Sequence, residues 1–186
     1  MSLNTLFSTP IFTYTIPKNM ADSIESNIIP RLNKLERKGE QFTDFFLSKR
    51  IVSPKEINPF ITLIKQKAQE FSQKANIVLT PYFEYWIQDY QNNDYHKLHS
   101  HAYSSISGTY YIRANENAGD LQFHNPNPYF SYTLSKNPYP HLYYDIKPQK
   151  GLLVLFPSWL MHEILPSTNP DNCIRTSFSF NFKLGE

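Results

Sequence analysis

The stretch from Ile174 to Phe182, IRTSFSFNF, alternates without a break. Side chains on a strand point to opposite faces with period two. Ile174, Thr176, Phe178, Phe180 and Phe182 therefore share one face, and Arg175, Ser177, Ser179 and Asn181 share the other. The first face demands an apolar layer beneath it. A strand buried on both sides is normally apolar throughout, so the second face meets either bulk water or a polar cavity. Arg175 follows His162 by thirteen residues, across EILPSTNPDNCI, which allows a turn and a return strand. That pair, expected on neighbouring strands, favours the cavity.

The apolar layer has its source in the first half of the chain. Met20, Ile24, Ile28, Leu32 and Leu35 recur at helical spacing, with Glu25, Arg31, Lys34, Glu36 and Arg37 elsewhere around the helix. A second helix is expected from Ser53-Pro54-Lys55-Glu56, a capping box with proline at the first helical position, and Asn58-Pro59 offers a competing start. Its inward face is Phe60, Ile61, Ile64, Ala68 and Phe71. Before the helices, Leu6 to Ile16 reads as an edge strand, with prolines at 10 and 17; between them, Gly39 to Ser53 has no period and reads as a loop. From Pro81 onward the pattern is strand and turn: Tyr82–Tyr90, Ser104–Arg113 with Ser105, Ser107, Thr109 and Tyr111 on one face, and Asp120–His124. Asn125 to Lys147 is rich in proline and tyrosine, and is expected to be a lid or an irregular excursion, or else a tyrosine cover over the sheet. The whole is an α+β chain, one domain over 1–186, with helical support at 18–77 and a sheet core at 81–183.

A net charge of +2 with no run of lysine or arginine gives nucleic-acid binding no support. No segment is apolar for long enough to span a bilayer. The opening MSLNTLFSTPIFTYTIP has neither the basic start nor the long apolar core of a signal peptide. Cys173 is the only cysteine, so no internal disulfide forms. A cytoplasmic protein is the expectation, and an exposed first strand would suit pairing into a homodimer.

The chemistry concentrates in histidines. His99 and His101 are two apart and project to the same side of a strand, where both can grip one ion; His162 would be returned to them by antiparallel pairing. Three imidazoles favour iron, zinc, copper or nickel over calcium or magnesium. Arg175 can clamp a carboxylate with two parallel hydrogen bonds, and Ser177 on the same side can donate a third. Taken without the histidines, the same residues would describe an ordinary polar strand face.

HSH followed by SSISGTYYI, AGDLQFHNP, KPQKGLLVLFPSWLMHEILPS and IRTSFSFNF resembles the 2-oxoglutarate- and iron(II)-dependent oxygenases. The resemblance covers about Pro81 to Lys183, and LFSTPIF is similar to the start of that family. It implies a double-stranded β-helix, or jelly roll, with N-terminal covering helices and a metal near one open end. It implies His99, His101 and His162 as iron(II) ligands, and Arg175 and Ser177 as the pair holding the distal carboxylate of 2-oxoglutarate, with Tyr111 contacting the same group. One position departs from the better-known pattern: a carboxylate usually follows the first histidine by two residues, and here His101 stands there. Asp94, Asp120 and Glu163 are rivals, His96 is the reserve ligand, and His124 and His141 are expected outside the ligand set.

The resemblance implies an enzyme that decarboxylates 2-oxoglutarate to succinate and carbon dioxide while oxidising a C–H bond of a small-molecule or protein substrate. Two alternatives stand beside it. A cupin-like metal protein would not use 2-oxoglutarate, though it would lack the usual glutamate after H-x-H; a jelly-roll binding module would not be catalytic.

Overall fold

The computed structural model describes residues 8–33, 42–44, 54–91, 93–115, 117–127, 142–167 and 175–184, with side chains at all of these except 42–44 and 54–56. In chain order the elements are β1 (Phe12–Thr15), α1 (Lys18–Leu32), β2 (Phe42–Asp44), α2 (Pro54–Ala75), β3 (Tyr82–Tyr90), β4 (His96–His99) and β5 (Ser104–Arg113). They continue with β6 (Leu121–His124), β7 (Tyr143–Ile146), β8 (Leu152–Pro157), β9 (His162–Ile164) and β10 (Arg175–Lys183). The strands form two antiparallel sheets, one in the order β1-β8-β5-β10-β3-β2 and a smaller one in the order β4-β9-β6-β7. This is the expected α+β jelly roll with covering helices. Among the described residues no helix is long and apolar enough to cross a membrane.

The alternation of β10 is what separates the two layers. Phe178, Phe180 and Phe182 pack with Ile106, Tyr110 and Ile112 of β5 against the helices. From α1 come Ala21, Ile24, Ile28 and Leu32, and from α2 come Ile57, Phe60, Ile64, Ala68 and Phe71. Phe60 is central, its ring 4.7 Å from that of Tyr110 and 5.2 Å from that of Phe178. Each such side chain contributes about 1.5–3 kcal/mol on burial. The opposite face of the large sheet, with Tyr90, Tyr111, Val154 and Phe156, packs against Leu121, Phe123, Ile146 and Ile164 of the small sheet. Arg175, Ser177, Ser179 and Asn181 belong to this inner face and are all buried.

Three expectations change. Residues 42–44, inside the expected loop, form β2 and pair with β3 from Phe42↔Asp89 to Asp44↔Ile87; three residues are too few to show a period. Tyr143–Ile146, inside the expected excursion, pairs with β6 as an edge strand, its Tyr143 and Tyr144 exposed rather than covering the sheet. His162 and Arg175 are on opposite sheets and not on neighbouring strands, since β9 pairs with β4 and β6 while β10 pairs with β3 and β5. Helix α2 begins at Pro54, the expected first helical position, and the competing start at Asn58-Pro59 lies inside it. Leu35, Ser53, Tyr129, Phe130, Tyr132, Tyr139 and His141 fall outside the described residues.

Gly108, in the middle of β5, shows how tightly the large sheet meets the helix-side core. A Cβ there would collide with Phe180 Cζ and stand 2.7 Å from the Val154 carbonyl oxygen, which belongs to the backbone and has little room to yield. Gly108→Ala should lower stability by about 1–3 kcal/mol, the ordinary cost of overpacking. Differential scanning calorimetry should show this as a fall of several degrees in Tm; an unchanged Tm would mean that β8 is free to shift.

Candidate active site

Pairing of β4 with β9 sets His99 directly across from His162, and an irregularity in that pairing falls between His96 and His99. His101 lies just past the end of β4, where its N–H donates to the Ser158 carbonyl at 2.9 Å. The two-apart spacing thus converges by a strand end and a turn, not by strand parity. The His99 ring is 4.3 Å from that of His162 and 5.1 Å from that of His101, with 5.1 Å between His101 and His162. One ring nitrogen from each lies within 4.8 Å of the others, the single three-donor group of this kind among the described residues. The trio can hold a metal ion.

Two of the rings are preset for it. His99 Nδ1 lies 2.6 Å from the Lys97 carbonyl and His162 Nδ1 lies 2.8 Å from the Leu160 carbonyl. A carbonyl only accepts, so each Nδ1 carries the proton and each Nε2 keeps its lone pair. Burial lowers the pKa of all three, His101 to about 4 and His162 to about 3, with neighbouring histidine charge adding to the effect for both. They are neutral, as ligands must be.

The turn that presents His162 is fastened from below. Ser107 Oγ donates to Asn181 Oδ1 at 2.7 Å, so in its 2.7 Å contact with Ser158 it is the Ser158 hydroxyl that donates. Ser158 N–H also donates to the Ser105 carbonyl. Ser158 therefore ties β5 and β10 to the turn that carries one metal-ligand candidate and anchors another. Sequence reading passed over it, although it is the serine of FPSW.

Arg175 lies across the cavity, only 1 % exposed. Its cross-strand neighbour is Tyr90, and that of Ser177 is Tyr111. The guanidinium carbon stands 5.3 Å from the Tyr90 ring centre and 5.0 Å from that of Tyr111. Nη1 donates to the Gly119 carbonyl at 2.9 Å. Gly119 has φ +76°, and a Cβ there would strike the Leu165 carbonyl, so only glycine holds the carbonyl in this place. Arg175 Nε and Nη2, Ser177 Oγ and Tyr111 Oη are all buried with no hydrogen-bond partner among the described residues. Burial raises the pKa of Tyr111 and takes Tyr90 up to about 12, so both keep their hydroxyl protons.

One cavity joins the two groups, and His99, His101, His162 and Arg175 line it together with Trp86, Gln88, His96 and Ser179. Among the described residues no acidic side chain lines it. The rival ligands are engaged elsewhere: Asp94 accepts from Gln91 N–H, and Glu163 faces His124 Nε2 at 2.7 Å. Asp120 belongs to no metal-binding group among the described residues. Asp89, next to Tyr90, accepts from Thr176 and Arg113. His96 lines the cavity, stacked on His99 with ring centres 4.2 Å apart.

The family described as "Putative 2OG-Fe(II) oxygenase" matches residues 84–181, more than half of the chain. The chain belongs to this family. It is an Fe(II)- and 2-oxoglutarate-dependent oxygenase by that membership, which sets aside the cupin-like and non-catalytic readings. No curated protein matches it. Among solved structures, a prolyl-4-hydroxylase from Pseudomonas putida is similar at 15% identity and TM-score 0.70, over 96% of this chain and 95% of that one. A prolyl hydroxylase from Trichoplax adhaerens, in complex with a hypoxia inducible factor peptide fragment, is similar at 12% identity and TM-score 0.65, over 93% and 83%. HygX from Streptomyces hygroscopicus, with nickel, 2-oxoglutarate and hygromycin B bound, is similar at 12% identity and TM-score 0.57, also over 93% and 83%. These likenesses confirm the fold.

Both halves of the site fit the family's cofactors. The histidine trio offers neutral nitrogen donors to iron(II), and the unpartnered donors around Arg175 suit a carboxylate.

The lowered histidine pKa values have a consequence for stability. Below the ordinary value of 6.5 the unfolded chain takes up protons that the folded site refuses until about pH 4 at His101 and about pH 3 at His162. The stability of the metal-free protein should therefore be full above pH 6.5 and fall as the pH drops from there. Urea unfolding across that range checks it, and replacing His162 by Phe should flatten the slope.

Proposed function

We propose that this oxygenase couples decarboxylation of 2-oxoglutarate, to succinate and carbon dioxide, with hydroxylation of a small-molecule or protein substrate. The observation that carries this reading is the set of buried, unpartnered donors at Arg175, Ser177 and Tyr111. A buried guanidinium with two unused nitrogens is costly unless an anion joins it, and a carboxylate matches its planar fork. A metal ion at the histidines and a cation at Arg175 in one cavity call for a ligand that is anionic at both ends. 2-Oxoglutarate is such a ligand.

In this reading His99, His101 and His162 hold iron(II), each through a neutral imidazole. Arg175 and Ser177 bind the distal carboxylate, and Tyr111 donates to the same group. The Tyr90 and Tyr111 rings keep the guanidinium in place and keep water from it. Iron(II), 2-oxoglutarate and oxygen together supply the oxidising power that the side chains lack. The chain's part is to orient the acid, leave metal positions open and hold a dry cavity. His101 replaces a carboxylate, so the protein offsets none of the metal's charge and the bound acid must do so.

The test is an anaerobic titration of the iron(II)-loaded protein with 2-oxoglutarate, following the visible charge-transfer band of the chelate, and then succinate formation in air. A saturable band followed by succinate is expected. Arg175→Lys should raise the Kd for 2-oxoglutarate about tenfold or more, because an ammonium cannot reproduce two parallel bonds. Iron bound with no band in the wild type, or an unchanged Kd in the lysine variant, would overturn the reading.

A further inference from the structure

His96 is not in the ligand trio, yet a sequence of hydrogen bonds leads to it. Ser179 Oγ donates to Gln88 Oε1 at 2.8 Å, which turns the amide nitrogen of Gln88 the other way. That nitrogen lies 3.4 Å from His96 Nδ1. The Tyr90 hydroxyl in turn lies 3.2 Å from His96 Nδ1. An amide N–H only donates, so Nδ1 accepts from Gln88, and the Tyr90 hydroxyl, which keeps its proton, can then only donate to the same nitrogen. Nδ1 of His96 thus faces two donors and must be the bare nitrogen, which puts the ring proton on Nε2. Nε2 meets no partner among the described residues, and His96 lines the cavity that also holds Arg175 and the histidine trio.

We propose that His96 is a cosubstrate-binding residue: held as its Nε2–H tautomer by Gln88 and Tyr90, it donates a hydrogen bond to the 2-oxo acid bound between the metal and Arg175. The proposal rests on the cosubstrate reading given above. His96 stacks on His99 on one side, and Tyr90 bridges it to the Arg175 guanidinium on the other. It therefore stands between the two groups that hold the ends of the acid. A neutral N–H donor there binds the anion without adding a positive charge to a cavity that already holds a metal and an arginine.

His96→Phe keeps a flat ring against His99 and removes the donor, while His96→Gln places an amide N–H near the position of Nε2. The anaerobic iron(II) titration with 2-oxoglutarate, paired with metal analysis of each loaded protein, separates the roles. Stoichiometric iron should remain in both variants. The Kd for 2-oxoglutarate should rise about tenfold in His96→Phe, the loss expected for one hydrogen bond to a charged group, and be largely restored in His96→Gln. If His96 only supported His99 by stacking, phenylalanine would be the milder change and glutamine the worse; that order, or an unchanged Kd in both, overturns the proposal. Loss of iron from His96→Phe overturns it too, since His96 would then be a ligand. A wild-type protein that binds iron but gives no band removes the cosubstrate reading itself, whereas a wild-type band with unchanged variants removes only the role of His96.

Discussion

The structure depends on keeping one guanidinium out of water with no carboxylate hydrogen-bonded to it among the described residues. Removing an isolated charge from water costs on the order of several kcal/mol even after a protein relaxes around it. Arg175 recovers part of this from the Gly119 carbonyl and from the tyrosine rings beside it. Asp89, beside Tyr90 on β3, is spent on Thr176 and Arg113 on the other face of the sheet, and Asp120, next to Gly119, acts on Arg175 through space without a hydrogen bond to it. That arrangement leaves Arg175 short of a bonded anion, which an entering acid would supply. An apolar residue in its place would give a more ordinary sandwich core and no reason to bind an acid.

The histidine trio sharpens the same electrostatics. A site of two histidines and a carboxylate brings a negative charge of its own, but three neutral imidazoles bring none. Burial holds these rings neutral, and the Lys97 and Leu160 carbonyls fix which nitrogen of His99 and His162 faces inward. A metal held by the trio would act with Arg175 on any entering ligand as two cations of one cavity. In the proposed reading, preference for a doubly charged acid would follow from charge alone, before any question of shape.

Much of this was legible in particular residues. The alternation of Ile174–Phe182 foretold the apolar layer under one face and left bulk water or a cavity for the other, and Arg175 read together with His162 turned the choice to the cavity. The periodicity of Ile24, Ile28 and Leu32 gave α1 for the same reason. Strand partners were not legible: His162 and Arg175 face each other across the two sheets because the chain crosses between them, and spacing carries no record of a crossover. Gly119 and Ser158 act through a carbonyl, a backbone N–H and a hydroxyl, which no pattern of side-chain polarity reveals. Gln88 and Tyr90 sit within an aromatic strand whose alternation shows a face but not the hydrogen bonds that orient His96.

The two halves of the site stand on different sheets, and this gives ligand binding a mechanical meaning. The metal-ligand candidates belong to the small sheet and its turns, while Arg175, Ser177 and Tyr111 belong to the large sheet that the helices back. Among the described residues the polar ties that cross between them include Arg175 to the Gly119 carbonyl before β6, Tyr90 and Gln88 to His96, and Ser105 and Ser107 to Ser158 in the turn before β9. In the proposed reading, an acid held at one end by the metal and at the other by Arg175 would add a further cross-tie. Its binding energy would then also stabilise the sandwich, because the unfolded chain cannot bring the two ends together. The large sheet, with its apolar backing, would supply the fixed reference, and the small sheet would be the part whose position the bound acid secures.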